Sequence, residues 1–522
     1  MSAPWTRICD LDDILPNSGV AALVDGRQIA IFRVDDALYA VGNYDPASGT
    51  NVLSRGIVGD VGGEIVVASP LYKQHYSLVT GRCLEEPDLR IPAYLTRVAD
   101  GGAWVRPVPL AQRRAGKKRR LVVVGNGTAA MRTVEELLEV APNDYDITVF
   151  GSEPQSSYNR VLLSPLLAGE KGFTEIVTHA PEWFEERRIS LHRADPVVSI
   201  DRLRRCVRAQ SGTQAFYDRL LIATGSDPIV LPVPGKNLAG VVTFRDVKDV
   251  DAMLASAAQH RHAVVIGGGL LGLEAASGLT RRGMEVTVVH LAPHLMERQL
   301  DLHAAALLRT ELERRGINFV MPANTLRLAG SDRVSGVELA DGRTLPANLV
   351  VMAVGVRPNV SLAKSAGLPC DRGVLVDDTM LTNDPSVYAV GECVQHRGKT
   401  FGLVAPLLAQ ARVCAASLAE RGARPYSTAS DATQLKVSGI DVFSAGNYEP
   451  GAGCESLVLR DPKRGIYKRL VIQQDRIRGA VLYGDTRDSG WYLQLIKDGS
   501  NIQAFRDELL FGKPAEQAAG AA

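Results

Sequence analysis

No two of the seven cysteines stand at C-x-x-C or C-x₄-C spacing. They are scattered at Cys9, Cys83, Cys206, Cys370, Cys393, Cys414 and Cys454, and the count is odd. Free thiols in a reducing compartment are therefore expected, rather than a disulfide framework or a cysteine metal site. Charge of one sign is equally scarce. A net charge of +1 over 522 residues gives no electrostatic case for nucleic acid or an anionic membrane. No apolar run reaches the length of a membrane span. The opening MSAPWTRICDLDDIL has neither a basic n-region nor a long apolar core, so it does not read as a signal peptide and the cytoplasm is the expected location. What is present is ordinary for a soluble globular chain: 46% hydrophobic and 22% charged residues, at a length that suggests three or four domains.

The chain is organised around Leu121 to Arg160. Leu121 to Val124 are continuous β-formers, as in a parallel strand covered on both faces. Gly125, Gly127 and Ala130 then stand where a dinucleotide-binding turn needs small residues. The first allows the tight turn, the second lets backbone approach a pyrophosphate, and the third lets the helix lie close on the strand. Phosphate would sit at the helix N-terminus, where free N–H groups and the macrodipole favour negative charge. Ile147 to Phe150 supply the second strand, and Glu153 just beyond it is placed to accept from ribose hydroxyls. One such turn is weak evidence, but here it recurs. Ala263 to Gly272, AVVIGGGLLG, follows a strand and opens a helix with Gly267, Gly269 and Gly272 in register. Two dinucleotide sites in one chain point to FAD together with NAD(P)H.

Residues 1–107 are strand-like and turn-rich, alternating apolar and polar positions around Asp25-Gly26 and Asp35-Asp36, which predicts a small all-β domain. Two of its loops resemble those of the Rieske domain, which holds its cluster through C-x-H and C-x-x-H. Here Asn43 and Asp45 replace the first Cys and His, and Ser69 and Tyr72 the second pair. None is a thiolate or imidazole, so no iron–sulfur cluster is expected. Through LSRGIVGDVGGEIVVASPLYKQHYSLVTGRCLEEP and IPAYLTRVADG this part resembles the small subunit of bacterial NAD(P)H-dependent nitrite reductase, a Rieske-like domain without a cluster. Residues 108–120 read as a basic linker with Arg113, Arg114, Lys117, Lys118, Arg119 and Arg120, a solvated hinge rather than an anionic docking site.

The first FAD-binding segment is expected over 121–237. It ends in a buried strand and the turn Ala223-Thr224-Gly225, which in two-dinucleotide flavoproteins crosses beneath the FAD. The NAD(P)-binding domain spans 238–358 and closes on VVMAVGVRP, with Gly355 as the analogue of Gly225. Its second strand is followed by His290 rather than Asp or Glu; a carboxylate there would favour NAD and a basic cluster NADP. His290 and Arg298 hint at a phosphate, yet NADH remains the preferred reading and both nicotinamides stay open. Nothing completes a metal set around His290, His294 and His303, so no metal site is expected. The second FAD segment, 359–425, carries VYAVG-Glu392, with Gly391 and Glu392 near the ribityl chain. Gly402 to Gln410 follow as a helix whose N-terminus would face the flavin where reduction makes it anionic. Residues 426–513 form a last α+β domain, in which Tyr467 to Gly499 read as a hairpin followed by a helix, and 514–522 a frayed tail.

Arg119 to about Gly512 resembles the N-terminal flavoprotein part of the large subunit of the same nitrite reductase, through YNRVLLSPLLAGE, VVHLAPHLMERQLD, GLVAPLLAQ, KVSGIDVFSAG and GAVLYGDTRDSGWYLQLI. The wider class is the pyridine nucleotide–disulfide oxidoreductase fold. The fold class expected is thus an all-β Rieske-like N-terminal domain, α/β domains for FAD and NAD(P), and a small α+β C-terminal domain. The family's large subunit continues into a cysteine-rich segment and a sirohaem reductase that this sequence does not contain. The resemblance implies hydride transfer from nicotinamide to flavin and release of electrons to a redox partner: a sirohaem nitrite reductase, a molybdenum nitrate reductase subunit or a small iron–sulfur protein. It also implies that Arg160 and Glu274 form a catalytic, site-organising ion pair beside the flavin, Arg160 otherwise binding FAD phosphate or ribose. Alternatives are a ferredoxin or rubredoxin reductase and a non-catalytic flavin-binding redox sensor. No nucleic-acid or membrane partner is expected, and a homo-oligomer is left open.

Overall fold

The computed structural model describes residues 5–86, 88–110, 118–422, 424–427, 432–437, 439–449 and 451–513. Residues 111–117 of the basic linker, with Arg113, Arg114 and Lys117, and the 514–522 tail lie outside the described residues. Two compact units make up the chain. One comprises Met1–Tyr158, Val177–Ser226 and Pro358–Ser427, the other Asn159–Ile176, Asp227–Arg357 and Thr428–Ala522.

The first unit opens with a six-stranded antiparallel sheet ordered Thr6–Asp10, Gly102–Pro109, Ala93–Ala99, Ala37–Gly42, Arg27–Val34, Ser18–Val24. Asp25 and Gly26 both take positive φ, +48° and +74°, the geometry of a two-residue hairpin turn whose twist matches its strands. Simple alternation fails in the middle of this sheet, where Ala37–Gly42 is buried at every position. Successive residues there feed two cores: Ala37, Tyr39 and Val41 pack with Val67 and Tyr76. Leu38 and Ala40 pack on the other face with Tyr94, Val98 and Val105. Gly102–Pro109 runs two residues past the expected end of this domain, because Pro109 still pairs with Tyr94.

Within the same unit a five-stranded parallel sheet is ordered Ser190–His192, Tyr145–Phe150, Arg119–Val124, Arg219–Ile222, Val387–Ala389. Val123 stands opposite Val149 on one side and Leu221 on the other. Flanked on both sides, Leu121 to Val124 are at most 4% exposed. The helices Thr128–Val140 and Val404–Leu418 pack together, Ala130, Val134 and Leu137 sharing one core with Cys414, Ala415 and Leu418. At the strand ends Glu420 takes both Arg119 (Nη2 to Oε2, 2.9 Å) and Arg219 (3.0 Å), while Arg120 pairs with Asp218 at 3.1 Å. With Lys118 3.9 Å from Asp146, all three described cations of the expected solvated hinge are ion-paired where the strand begins. The β-sheet domain meets this parallel-sheet fold through Arg97, whose guanidinium lies over the rings of Trp5 and Trp104 and 3.8 Å from Asp377. The Tyr39 hydroxyl also donates to the Arg421 carbonyl at 3.0 Å.

The second unit holds another parallel sheet, ordered Val241–Thr243, Leu349–Met352, His262–Ile266, Glu285–Val289, Ile317–Val320. Its helix Leu270–Arg281 packs on the short helix Leu163–Ala168. The contact is close: a Cβ at Gly278 would stand 2.8 Å from the Leu167 side chain, and Arg282 donates to the Leu167 carbonyl at 2.7 Å. Asn159–Ile176 consequently belongs to this unit, which interrupts the segment expected over 121–237. The last domain carries the expected hairpin and helix, the hairpin set within a larger sheet. Ile466–Gln473 and Arg476–Tyr483 lie in a five-stranded antiparallel sheet with Ala432–Val437, Ile440–Gly446 and Glu455–Asp461, followed by the helix Ser489–Asp498. Among the described residues no helix is long and apolar enough to cross a membrane.

Candidate functional site

In the first turn Gly125 sits at φ +112°, and a Cβ there would lie 2.2 Å from the Ala223 carbonyl oxygen, so backbone from the strand before Thr224 fills the space a side chain would need. Gly127 is the residue before the helix and would bring a Cβ within 4 Å of nothing. The helix it starts has no side-chain cap and no acidic residue in its first turn, which leaves its N–H groups and dipole to an anionic ligand. Ala130 is fully buried against the sheet. Glu153 stands past the second strand and accepts from the Tyr158 hydroxyl at 2.5 Å. Across the sheet Thr224 donates to the Asn359 carbonyl at 2.7 Å, and Gly225 and Gly391 both take positive φ, +68° and +94°. Glu392 accepts from Ser226 at 2.9 Å. Gly391 donates to Gln410 Oε1 at 2.8 Å; Gln410 is completely buried and its Nε2 has no hydrogen-bond partner. A buried amide left unsatisfied is costly, and together with the open second glycine it suits a polar ligand laid along these turns. The residues fit FAD.

The second turn repeats the design. A Cβ on Gly267 would stand 2.2 Å from the Ala353 carbonyl, one on Gly272 would stand 2.0 Å from the Gly267 carbonyl, and one on Gly269 would meet nothing within 4 Å. Gly355 has φ +119° and its carbonyl accepts from Ile229 at 3.0 Å. These residues fit a second dinucleotide. His290 is turned inward, 8% exposed, with Nδ1 accepting from the Gly268 amide at 3.0 Å. Its Nε2 faces the His294 carbonyl at 3.1 Å and Glu297 at 3.2 Å.

Arg160 opens a short 3₁₀ turn and its Nη1 donates to the Arg245 carbonyl at 2.9 Å. Glu274 lies one turn into the helix Leu270–Arg281 and accepts from the Ser164 hydroxyl at 2.6 Å. Burial pushes the Glu274 carboxyl up to about 7, against the lowering effect of that hydroxyl. Ser164, Ser226, Tyr158 and Gln410 were not singled out from the sequence. Only Gln410 carries a signal, as an amide in an otherwise apolar helix face.

In the β-sheet domain the two loops meet on a fully buried Asp45. It accepts from Ser69 and Ser48 at 2.7 Å each, from the Tyr76 hydroxyl at 2.8 Å and from the Ala47 amide at 3.0 Å. Burial alone would raise its pKa, but these donors outweigh burial and hold it low. Asn43, 2% exposed, accepts from the Ser54 amide at 2.8 Å and donates to Gln28 at 3.0 Å, while Tyr72 is 65% exposed. Among the described residues no group of three or more His, Cys, Asp or Glu could hold a metal ion. His303, once grouped with His290 and His294, instead stacks on Tyr467 and meets Arg460 at 2.9 Å.

Residues 4–106 match the Rieske-like [2Fe-2S] domain model and residues 432–500 the rubredoxin NAD⁺ reductase C-terminal domain. Among similar proteins, a nitrite reductase [NAD(P)H] of Bacillus subtilis is 45% identical over 403 residues, 77% of this chain and 50% of that protein. The assimilatory nitrate reductase electron transfer subunit of Bacillus subtilis is 39% identical over 76% of this chain and 51% of its own length. The chain thus spans about half the length of these relatives. A ferredoxin reductase structure from Rhodopseudomonas palustris superposes with a TM-score of 0.66 at 29% identity, over 72% of this chain and 93% of that one. Residues 119–416, more than half of the sequence, match the pyridine nucleotide-disulphide oxidoreductase model, and the chain belongs to that family.

Proposed function

We propose that this chain oxidises NADH or NADPH with FAD and passes the electrons to a protein partner in an assimilatory nitrite or nitrate reductase system. The observation that carries the reading is the pair of glycine turns, each with a first glycine closed off by backbone and a second that opens on no neighbouring atom. The names of the two Bacillus subtilis relatives, a nitrite reductase [NAD(P)H] and an assimilatory nitrate reductase electron transfer subunit, support that system. The acceptor we assign is a sirohaem nitrite reductase or a molybdenum nitrate reductase subunit, and the location we assign is the cytoplasm.

When bound, FAD supplies the redox chemistry, taking an electron pair from the nicotinamide and releasing it to the partner. Gly125, Gly127 and Ala130 would hold its pyrophosphate and Glu153 its ribose, with Thr224, Gly225, Gly391 and Glu392 along the remainder. Gly267, Gly269, Gly272 and Gly355 would hold the nicotinamide dinucleotide. Arg160 and Glu274 are assigned as the pair that organises the reacting end, Ser164 fixing one Glu274 oxygen. The donor set of Asn43, Asp45, Ser69 and Tyr72 does not fit an iron–sulfur cluster, since it has neither thiolate nor imidazole and Asp45 is saturated by hydroxyls. The β-sheet domain is therefore assigned as a docking module held in cis. Anaerobic titration with each nicotinamide under visible spectroscopy tests this reading: flavin bleaching is expected. Loss of it with both nicotinamides, together with failure to reduce ferricyanide, refutes the proposal.

A second reading, a ferredoxin or rubredoxin reductase, is favoured by the match at 432–500. It wins if a small iron–sulfur protein accepts electrons faster than a nitrogen-oxide reductase does.

A further inference from the structure

Position 290 immediately follows the second strand of the nicotinamide fold, Glu285–Val289, where an acidic side chain ordinarily accepts from the adenosine ribose. His290 is turned away from that role. Its Nδ1 accepts from the Gly268 amide, which leaves Nε2 as the ring nitrogen free to donate. Backbone bonds fix the residue from both sides, His290 N to the Val320 carbonyl at 3.1 Å and Ala323 N to the His290 carbonyl at 2.8 Å.

The chain beyond it folds back over the turn. Leu295 and Met296 are fully buried, Met296 takes φ +50°, and its amide donates to the Gly268 carbonyl at 3.1 Å. Gly268 is thereby held from both its N–H and its C=O. The fold-back returns a carboxylate to the strand end: Glu297 Oε2 lies 3.2 Å from His290 Nε2, with 39% of its side chain exposed. The acid missing from position 290 is supplied seven residues later and anchored to the ring that replaced it.

We infer that Glu297 selects NADH over NADPH, its carboxylate accepting from the adenosine 2′-hydroxyl and repelling a 2′-phosphate, with His290 as its positioning residue. This rests on the nicotinamide reading above. The neighbouring Arg298 is the competing candidate, a cation that would favour the 2′-phosphate.

The test is calorimetric titration of the flavin-loaded full chain with ADP-ribose and with its 2′-phosphorylated form. Wild type is expected to bind ADP-ribose at least about tenfold tighter, and Glu297→Gln to reduce that ratio about tenfold through loss of a charged acceptor. His290→Asn keeps an acceptor for Gly268 but loses the Nε2 donor, and should reduce the ratio partway at unchanged melting temperature. Arg298→Gln should leave it unmoved. A ratio that moves less than about threefold in Glu297→Gln while binding persists overturns the assignment. So does a wild-type preference for the phosphorylated form that Arg298→Gln abolishes. If wild type binds neither ligand, the dinucleotide site itself is refuted, and the inference falls with it.

Discussion

Replacing Gly269 and Gly272 separately by alanine distinguishes a glycine kept for a ligand from one kept for the fold. At Gly272 the new methyl would stand 2.0 Å from the Gly267 carbonyl oxygen and 3.0 Å from its carbon, so helix and turn must part by about 1 Å. Overpacking of this kind costs about 1–3 kcal/mol, offset by the 0.5–1 kcal/mol that alanine gains over glycine inside a helix. A net loss of about 1–2 kcal/mol is expected. Gly269 has φ −82° and ψ −179°, which alanine adopts freely, and no atom within 4 Å of the methyl. Alanine is a poorer residue before a helix by about 0.5–1 kcal/mol, but it lowers the entropy of the unfolded chain by a similar amount, so stability should hardly change. Its methyl instead occupies the approach to the pyrophosphate, and ADP-ribose affinity should fall at least about tenfold. Urea unfolding and calorimetric titration of both variants give the comparison. The reasoning is refuted if Gly269→Ala unfolds as readily as Gly272→Ala, or if it keeps wild-type affinity.

Glu274 is a carboxyl raised to about 7, so the folded state holds a proton that the unfolded state has already lost above about 4.5. Stability should therefore decline between these two values, and Glu274→Gln should flatten the decline in urea midpoints taken at pH 5 and pH 8. Asp45→Ala leaves two serine hydroxyls and a buried tyrosine hydroxyl without their acceptor and should destabilise the β-sheet domain by about 2–4 kcal/mol in denaturant melts. Asp45 has a lowered pKa, so its contribution is present above the ordinary aspartate range and is lost only as pH falls through its depressed value. Arg97→Leu removes the cation beside Asp377, a carboxyl that burial pushes up to about 6, and should move it higher still, as carboxyl NMR would show.

The glycines were legible because their requirement is local: a positive φ or a backbone crossing leaves no choice of residue, and spacing to the next strand follows from the turn. Glu153 and Glu392 were legible for the same reason, as carboxylates at strand ends. His290 was not. Its sequence position suggests a ligand contact, and only the fold-back of Leu295 and Met296 turns the ring inward onto Gly268. The route of Asn159–Ile176 into the second unit was equally hidden, since it depends on Leu167 meeting a glycine more than a hundred residues away. Asp45 could be read as a missing histidine, but its donors at 48, 69 and 76 meet only once two loops close.

Glu420 clasps Arg119 and Arg219, side chains that enter the chain three hundred and two hundred residues before it. A ribosome making this protein at about 5–20 residues per second would leave those two guanidiniums waiting for roughly 10–60 s. Through that interval the opening β-sheet domain and the inserted nicotinamide fold can each close on contacts already made, while the flavin fold lacks its final strand and helix. Order of synthesis thus closes the flavin fold after the other two, with the sheet and helix of residues 432–498 still to follow.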